Sequence, residues 1–222
     1  MMQPAGLGDI FYTQKIAKEV LLRTKTKKII WPVKDNFIYL QHYLKDDNIE
    51  YVKKSEIEGL TINNSYLLSL QNADERHRNV SVMSAKYIDA DIEEKDVLSY
   101  FNFERNKKRE KQLYDKLVKE EEYVVINEYY GSPPASLKRN VPYSGNKQVI
   151  NIEFYKEVNL FDWCMILENA SELHMVDTSF MYIVEKLNLK SKVNKLYSRF
   201  YPANFSHIKH IPEKVNWEFT QW

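Results

Sequence analysis

Apolar residues recur at helical spacing over residues 8–22, where Ile10, Thr13, Ile16, Ala17, Val20 and Leu21 share one face. A short apolar run at 27–33 then reads as a buried strand, with Pro32 near its end. Asp35 or Asn36 is placed to cap a second helix that carries Phe37, Leu40 and Leu44 on one side. Residues 49–52, 66–70 and 80–83 read as further strands. A charged stretch at 104–122 carries a narrow stripe of Leu113, Leu117 and Val118 and reads as a helix. The alternation then restarts. Tyr-Val-Val-Ile-Asn at 123–127 is a continuous apolar run of buried-strand type, and 147–153, 172–176 and 192–199 follow as strands. Helices are expected at 161–170 and 177–187. The aromatic tail to Trp222 shows little periodicity and is expected to pack across another surface.

Strand and helix alternation of this kind predicts an α/β fold. The expected architecture is two small Rossmann-like halves with mostly parallel sheets, in a compact arrangement. The boundaries are 1–104 for the first half, 105–122 for a charged linking helix and 123–222 for the second half. No repeat of 20–50 residues is evident.

Charge narrows the function classes. Lys and Arg total 32 and Asp and Glu total 31, a formal net charge of +1. A chain built mainly to bind nucleic acid carries a basic excess, so no nucleic-acid partner is expected. The basic run 105–111 belongs to a stretch with nearly as many acids as bases, which reads as a solvated helix face. The single cysteine, Cys164, builds no disulfide framework within one chain and reads as a buried small hydrophobe. No apolar signal core opens the chain and no run of about 18 apolar residues occurs, so no transmembrane segment and a cytoplasmic location are expected.

Only five glycines are present, and their positions carry information. Gly6 and Gly8 flank Leu7 ahead of Asp9 at the start of the first helix. Such glycines let a backbone approach a ligand, and the helix start presents N–H groups. A tight turn with a dipole-offsetting carboxylate is the plainer alternative. After strand 123–127 comes a loop with Tyr129, Gly131, Ser132, Lys138 and Arg139. Small and basic residues past a strand's carboxyl end suit an anionic ligand in an open α/β sheet. His174 lies in the strand at 172–176, and Asp177, Thr178 and Ser179 follow it. They serve either as helix caps or as diphosphate contacts. Asp89 and Asp91 form an Asp-x-Asp, a pattern that can hold a divalent ion on a nucleotide diphosphate.

The order of these motifs resembles that of GT-B glycosyltransferases, with the heptosyltransferases as the nearest well-known group. Gly6-Leu7-Gly8-Asp9-Ile10-Phe11, a helix and then Lys28-Ile29-Ile30-Trp31-Pro32-Val33 resemble that family's opening. Only Met1 to Ala5 precede Gly6, which leaves little room for the family's first strand. The second half is similar to the family's donor domain, through Gly131-Ser132 and Asp177-Thr178-Ser179. Phe161-Asp162-Trp163, Ala170, Leu173-His174 and Asp177-Thr178-Ser179-Phe180 also resemble short glycosyltransferase-like proteins of viruses and bacteria.

The resemblance implies sugar transfer from a nucleotide-sugar donor to a glycan, glycolipid or protein acceptor, without a cofactor or metal. It implies Asp9 as general base and a donor site at Tyr129, Gly131, Ser132, Lys138, Arg139, His174, Asp177, Thr178 and Ser179. It makes the first half the acceptor side and the second the donor side. Two alternatives stand beside it. One is a metal-dependent GT-A type transferase that uses Asp89 and Asp91. The other is a non-catalytic module that binds nucleotide-sugars or glycans.

Overall fold

The computed structural model describes residues 1, 6–25, 27–57, 70, 77, 80–131, 137–205, 208, 211 and 214–220. They divide into two units, Met1–Glu104 and Arg105–Trp222.

In the first unit, the helical pattern at 8–22 is realised as two helices, α1 (Leu7–Tyr12) and α2 (Gln14–Thr24). The break falls at Thr13, whose N–H and Oγ1 both donate to the Asp9 carbonyl, at 3.0 and 2.8 Å. Ile10, Phe11, Ile16 and Ala17 on this pair are fully buried. Strands β1 (Ile29–Val33) and β2 (Ile49–Lys53) pair in parallel, with Ile29 opposite Ile49 and Trp31 opposite Tyr51. A 3-10 helix, Asp35–His42, connects them and buries Phe37 and Leu40. A short helix, α3 (Lys54–Ile57), follows β2.

The strand expected at 80–83 is instead the start of helix α4 (Val82–Asp89). Val80 and Val82 alternate as a strand would, yet both are exposed. Ser81 caps the helix by accepting from the Ser84 N–H at 3.1 Å, and burial follows with Ala85, Lys86 and Tyr87. Tyr87 ties α4 to α1 by donating its hydroxyl to the Tyr12 carbonyl at 2.6 Å. After α5 (Val97–Tyr100), Phe101 stacks on Phe11 at 4.6 Å. The strand expected at 66–70 lies outside the described residues, apart from buried Leu70.

The second unit is built on β3 (Tyr123–Asn127), buried at every position. A parallel strand covered on both faces reads as a continuous apolar run, which is why this one was legible. The sheet adds β6 (Gln148–Asn151), β7 (Glu172–Val176), β8 (Val193–Tyr197) and β9 (Glu218–Thr220), all parallel, in the order β6-β3-β7-β8-β9. The aromatic tail therefore supplies a fifth strand, where packing across another surface was expected. Three residues are too few for a visible period.

The loop after β3 folds back as an antiparallel ribbon, β4 (Tyr129–Tyr130) on β5 (Leu137–Lys138). One sheet face carries Val124, Ile126, Val176 and Tyr197 and is covered by Val141 with Tyr130 and Tyr143. Tyr123 instead reaches helix α7 (Cys164–Asn169), where its hydroxyl donates to the Ile166 carbonyl at 2.8 Å. Ahead of α7, a 3-10 turn, Leu160–Trp163, is closed by a capping box between Asn159 and Asp162. Helix α8 (Phe180–Lys186) joins β7 to β8 and starts three residues later than expected, because Asp177 to Ser179 form the turn. Cys164 is buried, and burial pushes its thiol far up.

Helix α6 (Lys107–Leu117) packs within this unit through Glu110 and Leu113. Glu110 is fully buried and accepts from Arg105 Nε at 2.8 Å, while Arg105 Nη1 reaches Glu168 on α7 at 2.8 Å. Arg109 holds the buried Asp162 bidentately, at 2.8 and 2.7 Å. A buried carboxylate stripped of its main partner destabilises a fold by about 3–5 kcal/mol. Arg105→Ala is therefore expected to lower stability by about that amount, read as a shifted urea-unfolding midpoint. The same change leaves the first unit's Tyr87–Tyr12 contact untouched.

Candidate functional site

The strand order of the second unit defines where a ligand can sit. In sequence order within this unit, the sheet runs second-first-third-fourth-fifth, so the strand order reverses between the parallel strands β3 and β7. Connections leave the two strands to opposite sides there, which opens a crevice at their carboxyl ends. Asn127 ends β3, and Asp177 and Thr178 follow β7. Asn127 Nδ2 donates across this point to Thr178 Oγ1 at 3.2 Å, and the Phe180 N–H donates to the same oxygen at 3.4 Å. Both acceptor positions of the Thr178 hydroxyl are thereby used, and its O–H remains to donate outward.

Asp177 is 1% exposed. Its Oδ1 accepts from the Arg199 N–H at 3.1 Å and lies 3.6 Å from Arg199 Nε. This buried carboxylate ties the segment after β8 to the turn after β7 and sets a counter-charge beside the Arg199 guanidinium. Arg139 Nη2 donates to the Arg199 main-chain carbonyl at 3.0 Å, and the Arg199 guanidinium lies over the Phe200 ring at 5.2 Å. Arg199 was not among the residues singled out from the sequence. Its one sequence signal is a basic residue just past a strand.

The ribbon residues are engaged with one another. Lys138 pairs with Glu128 at 2.8 Å and lies over the Tyr129 ring at 5.5 Å. The hydrogen bond that Lys138 donates to Glu128 raises the ammonium's proton affinity. Tyr129 packs against Phe154 at 5.1 Å. Gly131 has φ 85°, a left-handed backbone that suits glycine at the bend. Ser132 lies outside the described residues, and Ser179 starts α8 without a side-chain cap.

His174 is not brought to this edge. It sits within β7, in register with Ile126 and Lys195, between Tyr143 (5.5 Å, edge-on) and Tyr197 (6.2 Å). Its Nε2 faces Glu172 at 3.2 Å. A Cβ on Gly145 would run into Tyr143, so that glycine serves this cover.

In the first unit, Asp9 lies in the first turn of α1, with its side chain 24% exposed. Its Oδ1 accepts from the ammonium of Lys86 on α4, and Lys86 is fully buried. Lys86 was also not among the residues singled out from the sequence. Gly8 lies inside α1. Asp89 ends α4 and pairs with His77 Nε2 at 2.8 Å, whereas Asp91 is exposed, has φ 52° and lies 4.0 Å from Arg23. Among the described residues, no group of three His, Cys, Asp or Glu side chains is placed to hold a metal ion. Among them, too, no helix is long and apolar enough to cross a membrane.

A solved family 9 glycosyl transferase from Veillonella parvula DSM 2008 superposes on 99% of this chain and 85% of its own, with a TM-score of 0.53 and 10% identity. The chain shares that fold. The bacterial iron-containing dodecameric glycosyltransferase TibC from enterotoxigenic E. coli H10407 superposes on 89% of this chain, with a TM-score of 0.49 and 11% identity. This chain spans 57% of TibC's length. No family model and no curated protein matches the sequence. The expected α/β fold with mostly parallel sheets and the likeness to GT-B glycosyltransferases thus hold at the level of fold.

Burial pushes the His174 imidazole below its usual value of 6.5, against the opposing pull of Glu172. A histidine depressed in the fold stabilises above the unfolded value, and this contribution is lost as pH falls through the folded one. Glu172 is held below 4.5 by Lys147, so its loss comes at lower pH. The melting temperature is expected to fall as pH drops from 6.5 towards 4.5. His174→Asn is expected to flatten that part of the curve, as read by circular dichroism melts.

Proposed function

We propose that this protein is a glycosyltransferase that moves a sugar from a nucleotide-activated donor to an acceptor hydroxyl, without a metal. The observation that carries the reading is the crevice edge between β3 and β7, where Asn127 meets Thr178 and Asp177 accepts from the Arg199 N–H, a polar edge suited to a diphosphate. The shared fold supports it by analogy, since fold by itself does not assign function.

In this reading the second unit binds the donor. The Thr178 hydroxyl and the two guanidiniums offset charge as it grows on the leaving diphosphate. Asp177 holds Arg199 in place, and Lys138 is partly spent on Glu128. The first unit serves the acceptor. The acceptor oxygen bonds to the anomeric carbon as the bond from that carbon to the diphosphate oxygen breaks. The electron pair leaves with the nucleoside diphosphate, and the acceptor proton passes to Asp9. A positioned base of this kind contributes about 10²–10⁴-fold.

Three measurements test the reading. A thermal-shift screen against nucleoside diphosphates and nucleotide sugars should give a hit, because a ligand at 100 times its Kd adds about 2.7 kcal/mol to stability. A flat response across the panel rejects it. Arg199→Ala should weaken binding of the hit about 10-fold or more, the usual worth of a hydrogen bond to a charged group. Asp9→Asn should lower transfer about 10²–10⁴-fold, read as nucleotide release in the presence of acceptor, while donor binding survives. Transfer that EDTA abolishes would return the choice to the metal-dependent alternative at Asp89 and Asp91.

A further inference from the structure

Asp9 is constrained from two sides by groups with no part in the chemistry just described. On one side, Oδ1 accepts from Lys86 Nζ. On the other, Oδ2 lies so close to the Gly6 α-carbon that a Cβ there would collide with it. Lys86 is fully exposed to neither water nor a ligand; it is 0% exposed, and Asp9 is the carboxylate beside it.

A buried ammonium needs a counter-charge, and one fixed by its own helix can hold that counter-charge in a single position. Helix α4 is such a support. Tyr87 bonds it to α1 at 2.6 Å and packs edge-on against Tyr12 at 5.2 Å, while Ser81 caps its start. The other charged groups along these elements have other partners. Lys15 donates to the carbonyls of Glu93 and Lys95 at 2.8 and 2.6 Å. Glu94 accepts from the Tyr12 hydroxyl, and Asp89 pairs with His77. Lys86 thus sets its ammonium against Asp9.

We infer that Lys86 is a positioning residue for Asp9, and that Gly6 is glycine to leave room for the carboxylate Lys86 holds. This rests on Asp9 being the group that takes the acceptor proton. The sequence suggests a different use for Gly6, close approach of backbone to a ligand. Its backbone, at φ −86° and ψ 145°, is open to any residue, so the space beside Asp9 is what requires glycine. A displacement of about 1 Å in such a group can cost about 100-fold in rate.

The test is a set of variants of the full chain, assayed for transfer with the donor found by thermal shift. Lys86→Met should lower kcat about 100-fold with the donor's KM unchanged. Lys86→Arg, which keeps the charge, should recover part of that loss. In an Asp9→Asn background, Lys86→Met should cost nothing further, because the lysine acts through the carboxylate. Gly6→Ala should lower kcat in the same way, and it keeps the test open where Lys86→Met does not fold. Unchanged kcat in Lys86→Met or in Gly6→Ala, with Asp9→Asn impaired, overturns the inference alone. An equal further loss from Lys86→Met in the Asp9→Asn background also overturns it. Full turnover by Asp9→Asn, or none by the unaltered chain, overturns the base assignment and this inference together.

Discussion

All five residues of β3 are buried, from Tyr123 to Asn127, and the second unit is arranged around that fact. A strand hidden on both faces and flanked by two parallel neighbours cannot place a polar side chain until it ends. Asn127 is the first position where it does so, and its amide is satisfied there by Thr178. The polar edge is thus a consequence of the apolar strand. Helices α6 and α7 meet Tyr123 through the Tyr114 ring and the Ile166 carbonyl, and Val141, Tyr130 and Tyr143 cover Val124 and Ile126. Each covering group fixes β3 more firmly and leaves its carboxyl end as the place for ligand chemistry.

Three buried carboxylates of the unit share one arrangement, while buried Glu185 accepts from the Lys214 and Val215 N–H groups and from Trp217 Nε1. Glu110, Asp162 and Asp177 are all nearly fully buried, and each has an arginine beside it. Such pairs cost desolvation and return little net stability, so they matter mainly for the geometry they impose. Arg105 and Arg109 bind α6 to the segment around α7. Arg199 differs because Asp177 anchors it at the ligand edge, with about a third of its side chain exposed. Similar pairs therefore do separate jobs, and the position relative to the sheet's carboxyl edge decides which.

The strand β3 was legible because a doubly covered parallel strand reads as a continuous apolar run, and Tyr-Val-Val-Ile-Asn permits little else. The region 80–83 misled for the opposite reason. Val80 and Val82 supply a two-residue period, but Ser81 supplies a cap, and the burial that decides the element begins only at Ala85. The break at Thr13 was illegible because a threonine side chain bonding back to Asp9 does not disturb the apolar pattern. Asp9, Asp177 and Thr178 stood out as residue types at element starts. Their partners Lys86 and Arg199 did not, since a charged side chain's partner is fixed by packing between elements distant in the chain.

That asymmetry bears on how the glycine motif is understood. Gly6-Leu7-Gly8-Asp9 suggested a backbone shaped for a ligand, yet Gly6 has an ordinary backbone and an α-carbon set against the Asp9 carboxylate. The carboxylate is in turn held by a lysine 77 residues further along. A four-residue motif therefore describes one half of a contact whose other half comes from α4. Without Lys86, the glycine would leave space around a carboxylate that has lost this counter-charge. Without Gly6, the carboxylate would have to move away from the ammonium that neutralises it. The motif's chemistry depends on both, so the unit of meaning is the α1–α4 pair and not the Gly-x-Gly-Asp alone.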